Sequence, residues 1–243
     1  MQIAIVLYPG FTALDFIGPY EVLRYLPDAE VRLVWHESGP VTADSGILVI
    51  GATHSFAETP SPDLILIPGG FSTMEHARDE ILLEWVRRAH ETAMWTTSVC
   101  SGSIILAAAG LLKGKRATSH WMALSALKAL GVEAVGDQRI VVERDDEKGI
   151  VTAAGVSAGI DLALWLAGQI AGPDRAKVIQ LSMEYDPQPP YDSGHTSKAS
   201  VTTRATATVL MGKELANPTQ LKAMSSLVWD HAIDAARQRF RRG

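Results

Sequence analysis

Cys100 is the single cysteine among 243 residues, and its neighbours read as the mounting of a nucleophile. Residues 93–99 are apolar and β-prone, whereas residues 101–110 have a helical composition opening on Ser101, Gly102 and Ser103. A cysteine at such a junction occupies the elbow that lifts a side chain above the edge of an α/β sheet. The first N–H groups of a helix lack partners and its dipole favours an anion. A thiol placed there can titrate at roughly 3.5–7.5 instead of about 8.5, and the thiolate is the reactive form. The competing reading is an inert, buried cysteine, since free Cys is among the most buried residue types. The Cys-Ser-Gly-Ser order favours chemistry.

Other residues are expected at the same rim. Asp15 follows the first predicted strand, and Gly69-Gly70 follows another. Asp15 is either the cap of the next helix or a carboxyl group beside the sulfur. In the second case two anions cannot share the site cheaply, so the pair holds one proton and the titrations couple. Gly69 and Gly70 are either a simple turn or a place where backbone N–H groups approach substrate or developing charge. Ser101 can cap its own helix, donate to the thiolate or orient water. His120 is a candidate base, because a thiol often takes its base from a histidine distant in sequence.

The elements that must position these residues alternate between strand and helix. Residues 2–8, 31–35, 63–68, 93–99 and 150–153 read as strands, the first a continuous apolar run suited to a sheet covered on both faces. Helices are expected from Gly18, over 74–92, from Ser101, up to about Leu130, and over 158–171 and 176–185. Residues 9–15 read as a loop, and residues 140–143 and 150–153 as a hairpin around the polar stretch 144–149. The fold class is therefore α/β, a mostly parallel sheet sandwiched by helices. Residues 1–195 form its α/β domain. Residues 196–243 are expected to be a C-terminal helical extension that packs on the same domain or on a partner subunit. Its basic end, Arg237, Arg239, Arg241 and Arg242, suits a solvated helix terminus.

Composition narrows the function. A net charge of −5 argues against a nucleic-acid or anionic-membrane surface. One cysteine excludes an intrachain disulfide and a multi-cysteine metal site, and suits a reducing compartment. The remaining histidines show no metal-like pairing, so no metal is expected. No Gly-x-Gly-x-x-Gly fingerprint follows the first strand, so no dinucleotide is expected either. The longest apolar run, residues 104–112, is far short of the ~20 residues that cross a bilayer. The N-terminus lacks a basic leader. A cytoplasmic protein is expected.

Four segments carry a family resemblance: residues 14–23 (LDFIGPYEVL), 67–70 (IPGG), 97–103 (TSVCSGS) and 114–121 (GKRATSHW). Together they resemble the PfpI-like superfamily, which includes the parkinsonism-linked deglycase, and within it most of all the isocyanide (isonitrile) hydratases. Residues 151–161 and 181–191 extend the resemblance. It implies a flavodoxin-like fold, a homodimer, no cofactor, and hydration of R–N≡C to an N-substituted formamide. By the same resemblance Cys100 is the nucleophile, attacking to give a covalent thioimidate, and Asp15 the acid/base. Ser101 stands where the hydratases usually carry Thr, and Ala153-Ala154 where a Gly-Gly pair is familiar. Superfamily proteases place His directly after the cysteine, so Ser101 argues against peptidase activity. Two alternatives stay open: a non-catalytic or redox-sensing module, and a glyoxalase or deglycase acting on small dicarbonyls. Regulators sharing these signatures usually add a helix-turn-helix domain of about a hundred residues, longer than the segment after residue 200.

Overall fold

The computed structural model describes residues 1–145, 148–215 and 218–240. In chain order the elements are β1 (Gln2–Val6), α1 (Ala13–Leu23), β2 (Glu30–Trp35), β3 (Gly39–Thr42), β4 (Val49–Ala52), β5 (His54–Ser55), β6 (Leu64–Ile67), α2 (Thr73–His76), α3 (Glu80–Thr92), β7 (Trp95–Val99) and α4 (Gly102–Ala108). They continue as β8 (Arg116–Ala117), α5 (Leu124–Ala129), β9 (Glu133–Ala134), β10 (Ile140–Arg144), β11 (Gly149–Ala153), α6 (Ala158–Ala171), α7 (Pro173–Ser182), α8 (Val201–Leu215) and α9 (Pro218–Phe240).

Seven strands form the central sheet in the order β10-β11-β7-β6-β1-β2-β5. All neighbours run parallel except the edge pair β10 and β11. Uninterrupted apolar runs such as Ile3–Val6 and Leu64–Ile67 make this possible. Their side chains alternate between two faces, both covered by helices, so every position is buried. α1 and α6 pack against each other, and α6 in turn against α7. The register sets the site: Val99 pairs with Ala153, Ile67 with Ser98, and Ile5 with Leu66. The carboxyl ends of β11, β7, β6 and β1 therefore lie side by side, and ligands bind at that edge of open α/β sheets.

Several local expectations change. The helix expected over 74–92 is two helices, broken where the Asp79 side chain accepts hydrogen bonds from the N–H groups of Ile81 and Leu82. This N-cap ends one helical pattern and starts another within the same apolar periodicity. The expected loop 9–15 is shorter, because α1 already begins at Ala13 and carries Pro19 inside it. A small antiparallel hairpin, β3 with β4, lies outside the main sheet. The C-terminal segment is two helices, of which α9 packs on α2 and α5. Residues 146 and 147 of the expected hairpin turn, the side chain of Arg239, and Arg241 and Arg242 lie outside the described residues.

Candidate active site

Cys100 sits between the end of β7 and the start of α4 with φ at 59°, in the left-handed region. A non-glycine residue there stores roughly 1–3 kcal/mol, so its surroundings must over-determine the turn. They do. The Cys100 N–H is shared between the carbonyls of Ala153 and Ala154, each at 3.1 Å. The Ser119 hydroxyl donates to the Cys100 carbonyl at 2.9 Å. Gly69 is required beneath the elbow, since a Cβ there would lie 2.6 Å from Ser101 N and 2.8 Å from Cys100 Cβ.

Asp15 occupies the first turn of α1 and is fully buried. It is not the helix cap: Thr12 holds that position, and the Asp15 Oδ2 atom accepts the Gly69 N–H at 2.8 Å instead. Oδ1 makes no regular hydrogen bond, and the Cys100 thiol lies close enough to the carboxyl for the two to act on each other's protonation. Burial raises the Asp15 carboxyl to about 7 against the pull of the Gly69 N–H and the thiol, and the Asp44 charge adds to the rise.

The thiol moves opposite to the helix-start expectation. Burial first and the Asp15 charge second push it up, and the N–H groups of Ser101 and Val156 only partly offset them. α4 is a seven-residue helix, and its few free amides cannot replace the lost water. The consequence is a shared proton. While either group is ionised the other holds a hydrogen near neutral pH.

The two glycines after β6 act differently from the expected donors to substrate. The Gly69 N–H is spent on Asp15, and the Gly70 N–H donates to Ser101 Oγ at 3.1 Å. Ser101 makes no cap hydrogen bond to its own helix. Its hydroxyl lies 2.8 Å from Thr73 Oγ1, which donates to the Gly70 carbonyl at 2.7 Å. Tyr8 backs this cluster, donating to the Pro68 carbonyl at 2.9 Å and lying 3.0 Å from Thr73 Oγ1. Ser101 thus braces the turn that braces Asp15. The amides directed at the sulfur are those of Ser101 and Val156.

A cavity of about 440 Å³ opens over the thiol. Cys100, Ser101, Thr12 and Asp44 form its polar end, and Phe71, Met74, Met122 and Met211 contribute apolar walls. His120 lines it too, with a largely buried ring whose proton affinity is lowered by burial, so the imidazole is neutral at pH 7. The Met122 N–H donates to its Nδ1 at 3.4 Å, and its described hydrogen bonds include none to the thiol. Gly155 makes room for the ring: a Cβ there would meet His120 Cδ2 at 2.3 Å.

Thr73, Asp44 and Val156 were not visible as site residues in the sequence. Val156 is β-branched with φ at 44°, a strained conformation no sequence pattern announces. Asp44 reaches the site from the β3–β4 turn, where its Oδ2 accepts from Thr12 Oγ1 at 2.5 Å.

The DJ-1/PfpI family profile matches residues 1–169, the span that carries the elbow and its carboxyl neighbour. The chain belongs to the DJ-1/PfpI family. It is 44% identical over 199 residues to an isonitrile hydratase of Pseudomonas putida, covering 82% of this chain and 85% of that protein. It is also 32% identical over 185 residues to the helix-turn-helix transcriptional regulator CdhR of Pseudomonas aeruginosa, covering 74% of this chain and 53% of the regulator. Among solved structures it resembles a ThiJ/PfpI family protein from Pseudomonas syringae, with TM-score 0.83, 35% identity, and coverage of 93% of this chain and 90% of that one. The DJ-1/PfpI match includes Asp15, Gly69, Gly70, Cys100, Ser101, His120 and Val156, and it stops before α8 and α9. Among the described residues no helix is long and apolar enough to cross a membrane.

Proposed function

We propose that this DJ-1/PfpI protein hydrates isocyanides to N-substituted formamides without a cofactor, through a covalent thioimidate on Cys100. The observation that carries the reading is the buried Cys100–Asp15 pair, with Cys100 lining a largely apolar cavity and the carboxyl behind it. The 44% identity to a Pseudomonas putida isonitrile hydratase supports the same reaction.

An isocyanide carbon accepts both a nucleophile and a proton, and the pair supplies both. The Asp15 carboxylate first takes the thiol proton, and the Cys100 thiolate so formed attacks the terminal carbon. The C–S bond forms and the Asp15 proton goes to that carbon, leaving R–N=CH–S and an Asp15 carboxylate. The carboxylate then takes a proton from water as the hydroxide adds to the same carbon, and returns that proton to nitrogen. Collapse of R–NH–CH(OH)–S sends the hydroxyl proton to Asp15, forms C=O and breaks C–S. Formamide leaves, Asp15 returns its proton to the sulfur, and the starting pair is restored. The Ser101 and Val156 amides hold the sulfur as it gains charge at departure, a role in which losing one donor typically costs about 10²–10³ in rate. Desolvation by the apolar walls strengthens each of these interactions. His120 is a wall of the substrate cavity in this scheme, and Ser101 keeps Gly70 and the elbow in register.

Incubation with an alkyl isocyanide, with methylglyoxal in a parallel assay, tests the proposal. Formamide from the isocyanide, abolished by Cys100→Ala, supports it; turnover of methylglyoxal alone would assign the dicarbonyl chemistry instead. We further propose a homodimer, because Val178, Leu181, Tyr191, Val201 and Leu210 on α7, the 186–200 segment and α8 are more than half exposed.

A further inference from the structure

We propose that the C-terminal helix pair selects the substituent of the substrate: Leu221 and Met224 of α9, with Met211 of α8, form the apolar rim on which the R group rests, and Gln220 holds that rim in place. The inference rests on the hydratase reading and adds to it the class of substituent, uncharged and apolar, and the residues that choose it.

An isocyanide is linear about R–N≡C. With its terminal carbon at the sulfur, R projects straight away from Cys100 towards the mouth of the cavity. Leu221 and Met224 line that cavity and remain 53% and 38% exposed, as residues at a rim must be. Met211 joins them from α8, facing Met74, Met122 and Phe71 of the α/β body. Four of the seven methionines of the chain thus surround one cavity. Unbranched thioether side chains repack around ligands of different shape, so such a wall tolerates varied apolar groups while giving a charged one no partner.

The rim is anchored rather than loosely draped. Gln220, Ala223 and Leu227 follow the spacing of one helix face, the first two buried and the third packed on the core. Gln220 is 6% exposed, and both ends of its amide are used. Its Oε1 accepts the Glu75 N–H at 3.3 Å, and its Nε2 donates to the Glu75 carboxylate at 3.1 Å. Glu75 belongs to α2, beside Met74 and two residues from Thr73, which contacts Ser101. Further along, Asp230 lies 3.8 Å from Arg78, and His231 packs over Gly131. α9 therefore bridges α2 and the end of α5 across the cavity mouth. A buried amide clasped at both ends is costly to break, because each group would be left unpaired.

The test measures kcat/KM for cyclohexyl and methyl isocyanide on the full chain, and the labelling rate of Cys100 by iodoacetamide and by its N-phenyl analogue. In the Leu221→Ala/Met224→Ala variant the cyclohexyl-to-methyl ratio falls roughly 10-fold, through KM, as apolar pocket contacts are lost. Gln220→Ala moves the ratio the same way. Leu221→Trp, which narrows the mouth at a half-exposed position, slows N-phenyl labelling relative to iodoacetamide severalfold. Trp229→Ala, 68% exposed on α9 and not among the residues lining the cavity, leaves both ratios at the wild-type value. Ratios unchanged in the rim variants overturn the inference. If the wild type hydrates neither isocyanide, the hydratase reading fails, and the labelling ratios alone still decide whether this rim borders the thiol.

Discussion

Asp15 and Cys100 are each awkward alone and useful together. Burial raises both, and the Asp15 charge lifts the thiol further while the thiol's hydrogen bond draws the carboxyl down, so removing the Asp15 charge must lower the thiol. Asp15→Asn keeps an acceptor for the Gly69 N–H but deletes the charge and the hydrogen bond that push the thiol up. The midpoint of the pH dependence of iodoacetamide labelling of Cys100 therefore moves to lower pH in this variant. Isocyanide hydration drops by about 10²–10⁴, the usual worth of a general acid/base. The same carboxyl makes a stability prediction. Its folded value of about 7 lies above the ordinary carboxyl value of 3.8, so the native state holds more protons than the unfolded one between these limits. Stability then falls as pH rises through that window and stays low above it. At about 1.4 kcal/mol for each tenfold in proton affinity, the cost amounts to a few kcal/mol. Asp15→Asn escapes it, so chemical denaturation at pH 8 should find the variant at least as stable as the wild type, with the advantage vanishing near pH 4.

At the scale of elements, four strand ends create the site and short turns tune it. The turn after β6 illustrates the economy: Gly69 orients Asp15, Gly70 is held by Ser101, and Thr73 at the start of α2 ties both to Tyr8. Ser101→Ala removes the acceptor of the Gly70 N–H and should cost about 1–3 kcal/mol in a urea melt, whereas Ser101→Thr keeps the hydroxyl and most of the stability. Gly155→Ala drives a Cβ into the His120 ring, 2.3 Å from Cδ2. The ring must leave its place in the cavity wall, and KM for a bulky isocyanide should change more than the labelling rate of Cys100 by iodoacetamide. A labelling rate that changed as much as KM would show that the elbow itself had shifted.

On the scale of the whole molecule, the family-matched portion carries the reactive groups, and the segment beyond residue 169 completes the cavity around them. The proposed homodimer would cover the exposed apolar side chains of α7, the 186–200 segment and α8. Sedimentation equilibrium should return twice the 26.2 kDa chain mass. A monomer at micromolar concentration would remove the homodimer proposal without touching the chemistry at Cys100.

The alternation of apolar runs and helical periodicity was enough to define the parallel sheet, because burial on both faces leaves a continuous hydrophobic signature that local sequence displays. The elbow at Cys100 was legible for a similar reason: strand, cysteine and small polar helix start are contiguous. Direction of titration was not. The thiol is pushed up because it is dry and faces Asp15, which lies 85 positions earlier in the chain, and solvent exclusion belongs to no local pattern. The partners of the Gly69 and Gly70 amides, the strained Val156 and the reach of Asp44 were likewise decided by packing. So was the position of α9, whose face spacing announces a buried side but not which surface buries it. Chain-local forces chose the elements and the cysteine elbow; long-range contact and the loss of water chose the protonation of the thiol and the shape of the space above it.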